Sequence, residues 1–144
     1  MDIPLEHWYC DVCGYVIEKA SDGYVIWHTN EEFKCFDFKI IHQNKCDSKS
    51  YLSSTALNHF LGVNGLVYLT SFLSIGPIKK IIGQSSSKVI INTDEFVDFI
   101  RRVQIPYYEE ARRKFAKFGV IENYSDSSEA SPYFPNNLKI ITEM

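Results

Sequence analysis

Four candidate metal ligands near the start of the chain constrain its fold more than any other sequence feature. A Cys-x2-Cys pair, Cys10 and Cys13, is followed by a His-x3-Cys pair, His42 and Cys46. Three thiolates and one imidazole in this arrangement are typical of a closed tetrahedral site, for which zinc is the usual ion. The sequence therefore predicts one structural Zn²⁺ ion bound by these four residues.

The residue that follows the second cysteine supports this prediction. A positive φ at this position lets backbone N–H groups point at sulfur, and Gly14 adopts such a φ without steric cost. The turn from Cys10 to Gly14 resembles the zinc knuckle of rubredoxins and zinc ribbons. That resemblance covers only these few residues.

Three further side chains are alternative ligands. Cys35 lies on a predicted strand and could turn toward the knuckle, and His28 and His7 are within conceivable reach. Without a metal, the cysteines would be ordinary small apolar residues. A thioredoxin-like redox pair is disfavoured because no helical pattern follows Cys13. Four protein ligands leave no position for water, so a structural role is favoured over a catalytic one.

Composition narrows the class of protein. The chain has 144 residues, 45% of them hydrophobic, and a formal net charge of −3. This length suits one domain, but the first fifty residues alone are too few to bury a stable core. The mild acidity counts against nucleic-acid binding. No signal peptide or membrane span is apparent, so we expect a cytoplasmic protein with reduced cysteines and no membrane partner.

The pattern of hydrophobic residues predicts an α+β fold in two parts. Residues 1–50 form a small β-rich, zinc-ribbon or knuckle-like head, with strands over 24–28 and 33–41. In the second of these, Phe36, Phe38 and Ile40 alternate with Cys35, Asp37 and Lys39. Residues 51–144 form a body of about four to five helices. Head and body are either separate or one compact unit.

Residues that begin or end helices occur along the predicted helical body. Ser53 or Ser54 is predicted to cap a helix that ends near Gly62, and Asn92 begins a capping box ahead of an apolar stripe over 96–103. Pro106 begins a helix whose predicted apolar face includes Phe118. The remaining predictions are helices over 64–75, 77–82 and 135–141, a strand over 89–91, and loops over 83–88 and 122–131.

Basic residues on two adjacent predicted helices have two interpretations. They could form a ridge that contacts an acidic protein or a phosphate backbone. The favoured alternative is a solvated face balanced by Glu109 and Glu110. The residues concerned are Arg101, Arg102, Arg112, Arg113, Lys114 and Lys117.

Signatures of the common catalytic and nucleotide-binding motifs are missing from the sequence. We therefore expect a non-enzymatic protein that binds an unidentified protein partner, as an inhibitor, an adaptor or an immunity-type factor. One alternative is a zinc-dependent nucleic-acid-binding regulator. A second is a zinc-dependent hydrolase, which would require a water molecule in place of one protein ligand.

Overall fold

The computed structural model describes residues 5–46, 50–51, 53–84 and 89–144. These ranges contain a mixed α+β fold with two small sheets. The predicted loop over 83–88 falls largely on residues 85–88, which lie outside the described ranges. The strands are β1 (Trp8–Tyr9), β2 (Val16–Ile17), β3 (Gly23–Thr29), β4 (Lys34–His42), β5 (Ser53–Ala56) and β6 (Val89–Ile90).

Six α helices are present in the described ranges, where the sequence predicts about four to five. Three short 3-10 turns, at Ala20–Asp22, Leu57–Phe60 and Ser131–Tyr133, connect other elements. The helices are α1 (Gly62–Thr70), α2 (Gly76–Ile81), α3 (Thr93–Gln104), α4 (Tyr108–Arg112), α5 (Phe118–Tyr124) and α6 (Pro135–Thr142).

The larger sheet has the strand order β5-β3-β4-β6, and the smaller one is the β1–β2 hairpin. β3 pairs antiparallel with both β4 and β5, whereas β6 runs parallel to β4. Strands from beyond residue 50 thus complete the sheet that the head begins. The division into a head and a body at residue 50 stays a prediction.

A β-bulge interrupts the pairing of β3 with β4. The register moves from Ile26 opposite Lys39 to His28 opposite Phe36, so two residues of β4 lie opposite one residue of β3. Asp37 lies in the bulge with φ of 60°. Its N–H group donates to the Glu95 carboxylate on α3, and the next N–H along β4 donates to the same oxygen. A helix side chain thus satisfies the two donors that the bulge exposes.

Because of the bulge, the side chains of β4 do not alternate as the sequence predicts. The sequence pattern places Cys35 on the face opposite Phe38 and Ile40, but all three side chains are buried. An extra residue in the strand shifts the phase of the side chains by one position. The odd-numbered Cys35 is therefore buried before Asp37, whereas the even-numbered Phe38 and Ile40 are buried after it.

The main core joins the sheet to α1, α3 and the 3-10 turn at Leu57–Phe60. Aromatic rings dominate it: Trp27 stacks on Phe38 with ring centroids 5.4 Å apart, and Phe38 stacks on Phe99 at 5.2 Å. Stacked and edge-on aromatic pairs of this kind add to the stabilisation from burial alone. A second, smaller core contains Tyr108, Ala111, Val120, Leu138 and Ile141.

Helix α3 begins as the capping signal predicts. The Asn92 side chain accepts a hydrogen bond of 3.0 Å from the N–H of Glu95. Phe96, Phe99 and Val103 are buried, which confirms the predicted apolar stripe. The Glu95 carboxylate does not complete a reciprocal capping box, because it binds the bulge of β4 instead.

Two predicted helices are wrong. Ser53–Ala56 is a strand that pairs with β3, because the edge of β3 offers its backbone groups hydrogen-bond partners that a short Ser/Thr-rich helix would lack. The helix expected from Pro106 to Phe118 ends at Arg112, and Phe118 is 75% exposed. A second helix then begins at Phe118, and its Val120 is buried in the smaller core.

A membrane-spanning helix would need greater length and apolarity than any helix over the described ranges has.

Candidate metal centre

The turn between β1 and β2 presents the first two cysteines. The N–H of Gly14 donates to the carbonyl of Cys10 at 2.9 Å, which closes the turn, and Gly14 has φ of +80°. The N–H groups of Val12 and Cys13 point at Cys10 Sγ at 3.4 and 3.5 Å. This is the local geometry that the Cys-x2-Cys-Gly sequence predicts, and it stabilises a thiolate at Cys10.

The end of β4 and the turn after it present the other two side chains. His42 is the last residue of β4, and the N–H of Cys46 donates to the His42 carbonyl at 3.3 Å. Asn44 between them adopts φ of 65°, a left-handed conformation that asparagine tolerates better than most residues. The turn brings Cys46 back toward the imidazole of His42.

The structure brings Cys10, Cys13, His42 and Cys46 into one cluster that could hold a metal ion, with their ligand atoms all within 4.8 Å of one another. His42 Nδ1 lies 3.4 Å from Cys13 Sγ and 3.7 Å from Cys46 Sγ. Tetrahedral Zn²⁺ with ordinary Zn–S and Zn–N bonds separates its ligand atoms by about 3.5–3.8 Å. The donor set and its spacing therefore fit a tetrahedral ion.

The ring nitrogen of His42 that faces away from the cysteines makes a hydrogen bond. This atom, Nε2, lies 3.0 Å from the carbonyl oxygen of Val16 on β2, which can only accept a hydrogen bond. The proton must then reside on Nε2, and Nδ1 presents its lone pair to the three thiols. Metal-binding histidines commonly use one nitrogen for the ion and donate from the other to a carbonyl.

The thiols of the cluster have perturbed acidities. Burial tends to raise the pKa of Cys10, but the N–H groups of Cys13 and Val12, with His42, outweigh it and lower that pKa to about 6. Burial, followed by hydrogen bonding to the thiols of Cys10 and Cys13, raises the pKa of Cys46 to about 11. A cation among these sulfurs would favour the thiolate at each of them.

Asp11 connects the cysteine turn to the rest of the fold. Its N–H donates to the Ile40 carbonyl, and its carboxylate accepts from the Ile40 N–H, both at 2.8 Å. The same carboxylate oxygen accepts a 2.7 Å hydrogen bond from Arg102 on α3. The turn that carries Cys10 and Cys13 is thus held to β4 and to α3 at a single residue.

The sequence did not indicate that Arg102 and Glu109 are buried structural residues. Arg102 is 3% exposed, and it contacts residues that lie 91 and 93 positions earlier in the chain. No local sequence signal indicates partners at such separations. The favoured interpretation of a solvated basic face is therefore wrong for Arg102.

The alternative ligands lie elsewhere. Cys35 is 2% exposed in the main core, with its sulfur 3.9 Å from Thr29 Oγ1. His28 stacks on Tyr51 with ring centroids 3.9 Å apart, and His7 lies 3.2 Å from a Glu110 oxygen. Over the described ranges, none of these three side chains joins the cluster.

Comparison of the chain with protein-family models, with curated proteins and with solved structures finds no match.

Proposed function

We propose that the chain is a non-enzymatic, zinc-stabilised protein that acts by binding another protein. Three thiolates and one imidazole are a ligand set that suits Zn²⁺. The cluster supplies four protein ligands, so a bound ion has no open position from which to activate water or substrate. A structural ion in this place would hold the β1–β2 turn against the end of β4.

The observation that carries the proposal is a set of exposed apolar side chains on α1, on α2 and beside them: Val63, Leu66, Val67, Leu73, Ile78, Ile81 and Ile82. We call it the α1–α2 surface. Val63 is 79% exposed and Ile81 is 82% exposed. Single exposed apolar residues are common, but clustered ones mark interaction sites.

Helical spacing aligns these side chains in two stripes. Val63, Leu66 and Val67 have the i, i+3, i+4 spacing of one helix face, while Gly65 and Leu69 of the same helix are buried. Ile78, Ile81 and Ile82 repeat this spacing at α2, a helix with no buried residue. Packing within the chain thus leaves both stripes exposed to solvent.

Charge indicates the chemistry of the partner. Residues 48–93 include no Asp or Glu, and their charged residues are four lysines, in a chain whose net charge is −3. Two of them, Lys79 and Lys80, are exposed on α2 beside Ile78 and Ile81. We therefore propose a protein segment that presents apolar side chains flanked by carboxylates.

The experiment compares four immobilised proteins: wild type, Leu66→Asp, Ile81→Asp and the control Ile121→Asp. Ile121 is 54% exposed on α5 and provides the same chemical change away from the α1–α2 surface. Proteins captured from the source cell are identified by quantitative mass spectrometry. A candidate partner is then purified, and its Kd is measured at several salt concentrations.

We expect one partner to bind wild type and Ile121→Asp with the same Kd. A carboxylate buried at the interface without a partner should weaken the binding of Leu66→Asp and Ile81→Asp to the partner at least about tenfold. Added salt should weaken the binding of wild type. Circular dichroism checks that each variant is folded. A partner whose Kd is insensitive to both α1–α2 substitutions would refute the proposal.

A further inference from the structure

We propose a second binding site, a basic cavity for a small phosphate monoester that shares no residue with the α1–α2 surface. The cavity has a volume of about 550 Å³, within the range of small-molecule sites. We call it the α4–α6 cavity. Its lining residues are Tyr9, Glu110, Arg113, Lys114, Lys117 and Thr142.

The charges around this cavity favour an anion. Among the side chains that line it, Arg113, Lys114 and Lys117 supply three positive charges and Glu110 at most one negative charge. The whole chain carries −3. Positive charge is thus concentrated in one concave place on an acidic protein, where it attracts anions most effectively.

Contacts within the chain position these cations. The Arg113 guanidinium lies over the Tyr9 ring, 4.0 Å from its centroid. Stacking uses the face of the guanidinium and leaves its N–H edge able to bind a planar pair of oxygens. Lys114 Nζ donates to the Thr142 carbonyl at 2.5 Å and to a main-chain oxygen of Met144 at 3.2 Å, and Lys117 Nζ donates to the same oxygen at 3.2 Å.

These contacts do not use up the donor capacity of the cations. Each ammonium has three N–H groups, and the contacts above engage two at Lys114 and one at Lys117. A fork from arginine with two ammonium groups matches a doubly charged phosphate monoester better than a singly charged carboxylate. A volume of about 550 Å³ leaves room for the organic part of such an ester.

Glu110 is the one acidic residue among the described residues that line the cavity. Both of its carboxylate oxygens are buried without a hydrogen bond from the described residues, although His7 Nε2 lies 3.2 Å from one of them. Burial raises the pKa of this carboxyl. Its negative charge opposes an anion in the cavity, so its removal should strengthen binding.

Of the six basic residues on the two predicted helices, Arg113, Lys114 and Lys117 line one cavity. The other three make different contacts, so the predicted ridge is not formed by all six. Arg102 and Arg112 bind the carboxylates of Glu109 and Asp98. Arg101 lies over the Tyr133 ring, 4.2 Å from its centroid, and borders a different cavity. Arg101 is therefore a matched control for Arg113.

The test is isothermal titration calorimetry of the metal-loaded chain at low ionic strength with three probes: inorganic phosphate, a nucleoside monophosphate and a short DNA duplex. We expect saturable binding of the monophosphate, tighter than that of inorganic phosphate. Arg113→Gln and Lys117→Gln should each weaken it about tenfold or more, since a charge-assisted hydrogen bond is lost. Glu110→Gln should tighten it, and Arg101→Gln should leave it unchanged.

Two results would overturn the inference. One is the absence of saturable binding by the monophosphate. If the duplex binds tightly in that case, the cavity belongs to a phosphodiester backbone. The other is saturable binding of the monophosphate that neither Arg113→Gln nor Lys117→Gln weakens. Neither result bears on the α1–α2 surface, because none of the substituted residues belongs to it.

Discussion

The guanidinium of Arg102 on α3 binds the carboxylate of Glu109 on α4 through two hydrogen bonds of 2.7 Å, and both residues are 3% exposed. Glu109 also accepts a 3.0 Å hydrogen bond from the N–H of Tyr9, and Arg102 donates to the Tyr9 carbonyl and to Asp11. A buried bidentate pair therefore joins two helices to the strand and turn that carry Cys10.

Removal of one partner from this pair should be costly. Glu109→Ala leaves the Arg102 charge buried with only part of its compensation, and such changes cost about 3–5 kcal/mol. Urea unfolding of the metal-loaded protein measures the loss. Glu32→Ala is the control, because its pair with Lys34 is exposed and worth about 0–1 kcal/mol. Equal losses in the two variants would contradict a structural role for the Arg102–Glu109 pair.

The Cys13→Ser variant tests whether Cys13 is a metal ligand or an ordinary surface thiol. Cys13 is exposed, and an exposed substitution of similar shape changes the free energy of unfolding by less than about 0.5 kcal/mol. Loss of a zinc ligand should instead lower the metal content and destabilise the chain by several kcal/mol, because metal binding and folding are coupled. Elemental analysis and thermal unfolding measure both quantities.

The control for Cys13→Ser is Cys35→Ala, which removes a buried thiol outside the cluster. That variant should lose stability through the cavity it creates and keep one metal ion per chain. Wild-type protein without a transition metal after gentle purification would contradict the zinc site itself.

His42 should be replaceable by another zinc ligand. His42→Cys produces a four-cysteine set, which also binds structural zinc, whereas His42→Ala leaves one position unfilled. We expect His42→Cys to retain one metal ion per chain with somewhat lower stability, since the hydrogen bond to the Val16 carbonyl is lost. His42→Ala should lose most of the metal, as measured by elemental analysis. Equal metal content in both variants would exclude His42 as a ligand.

Glu110 should make stability depend on pH. Burial raises its pKa above the ordinary value of 4.5, so the fold favours the protonated carboxyl, and this contribution is lost as pH rises through the folded-state pKa. Glu110→Gln should therefore have a higher Tm than wild type near pH 7, and the difference should shrink toward pH 4.5. Melting curves in phosphate-free buffer test this.

The control for Glu110→Gln is Glu122→Gln, an exposed change on α5 that should shift the Tm little at any pH. Both variants retain the cysteine cluster, so any loss of metal at low pH affects them as it affects wild type. A difference for Glu110→Gln that grows toward low pH would have the wrong sign.

Local features of the fold could be predicted because their causes lie within a few residues. The Cys-x2-Cys-Gly turn needs only a positive φ at Gly14, and α3 needs only its Asn92 cap and a regular apolar stripe. The approach of His42 and Cys46 to Cys10 and Cys13 was inferred from the chemistry of the side chains, since few other arrangements of these residue types are common.

The tertiary structure decided the features whose causes lie far apart in the chain. Ser53–Ala56 became a strand because β3 offered its backbone groups partners, and the bulge at Asp37 depends on the Glu95 carboxylate of a later helix. Arg102 is buried because Asp11 and Glu109 surround it. Sequence periodicity reports which side of an element is apolar, whereas strand pairing and buried charge pairs depend on which distant residues the folded chain brings together.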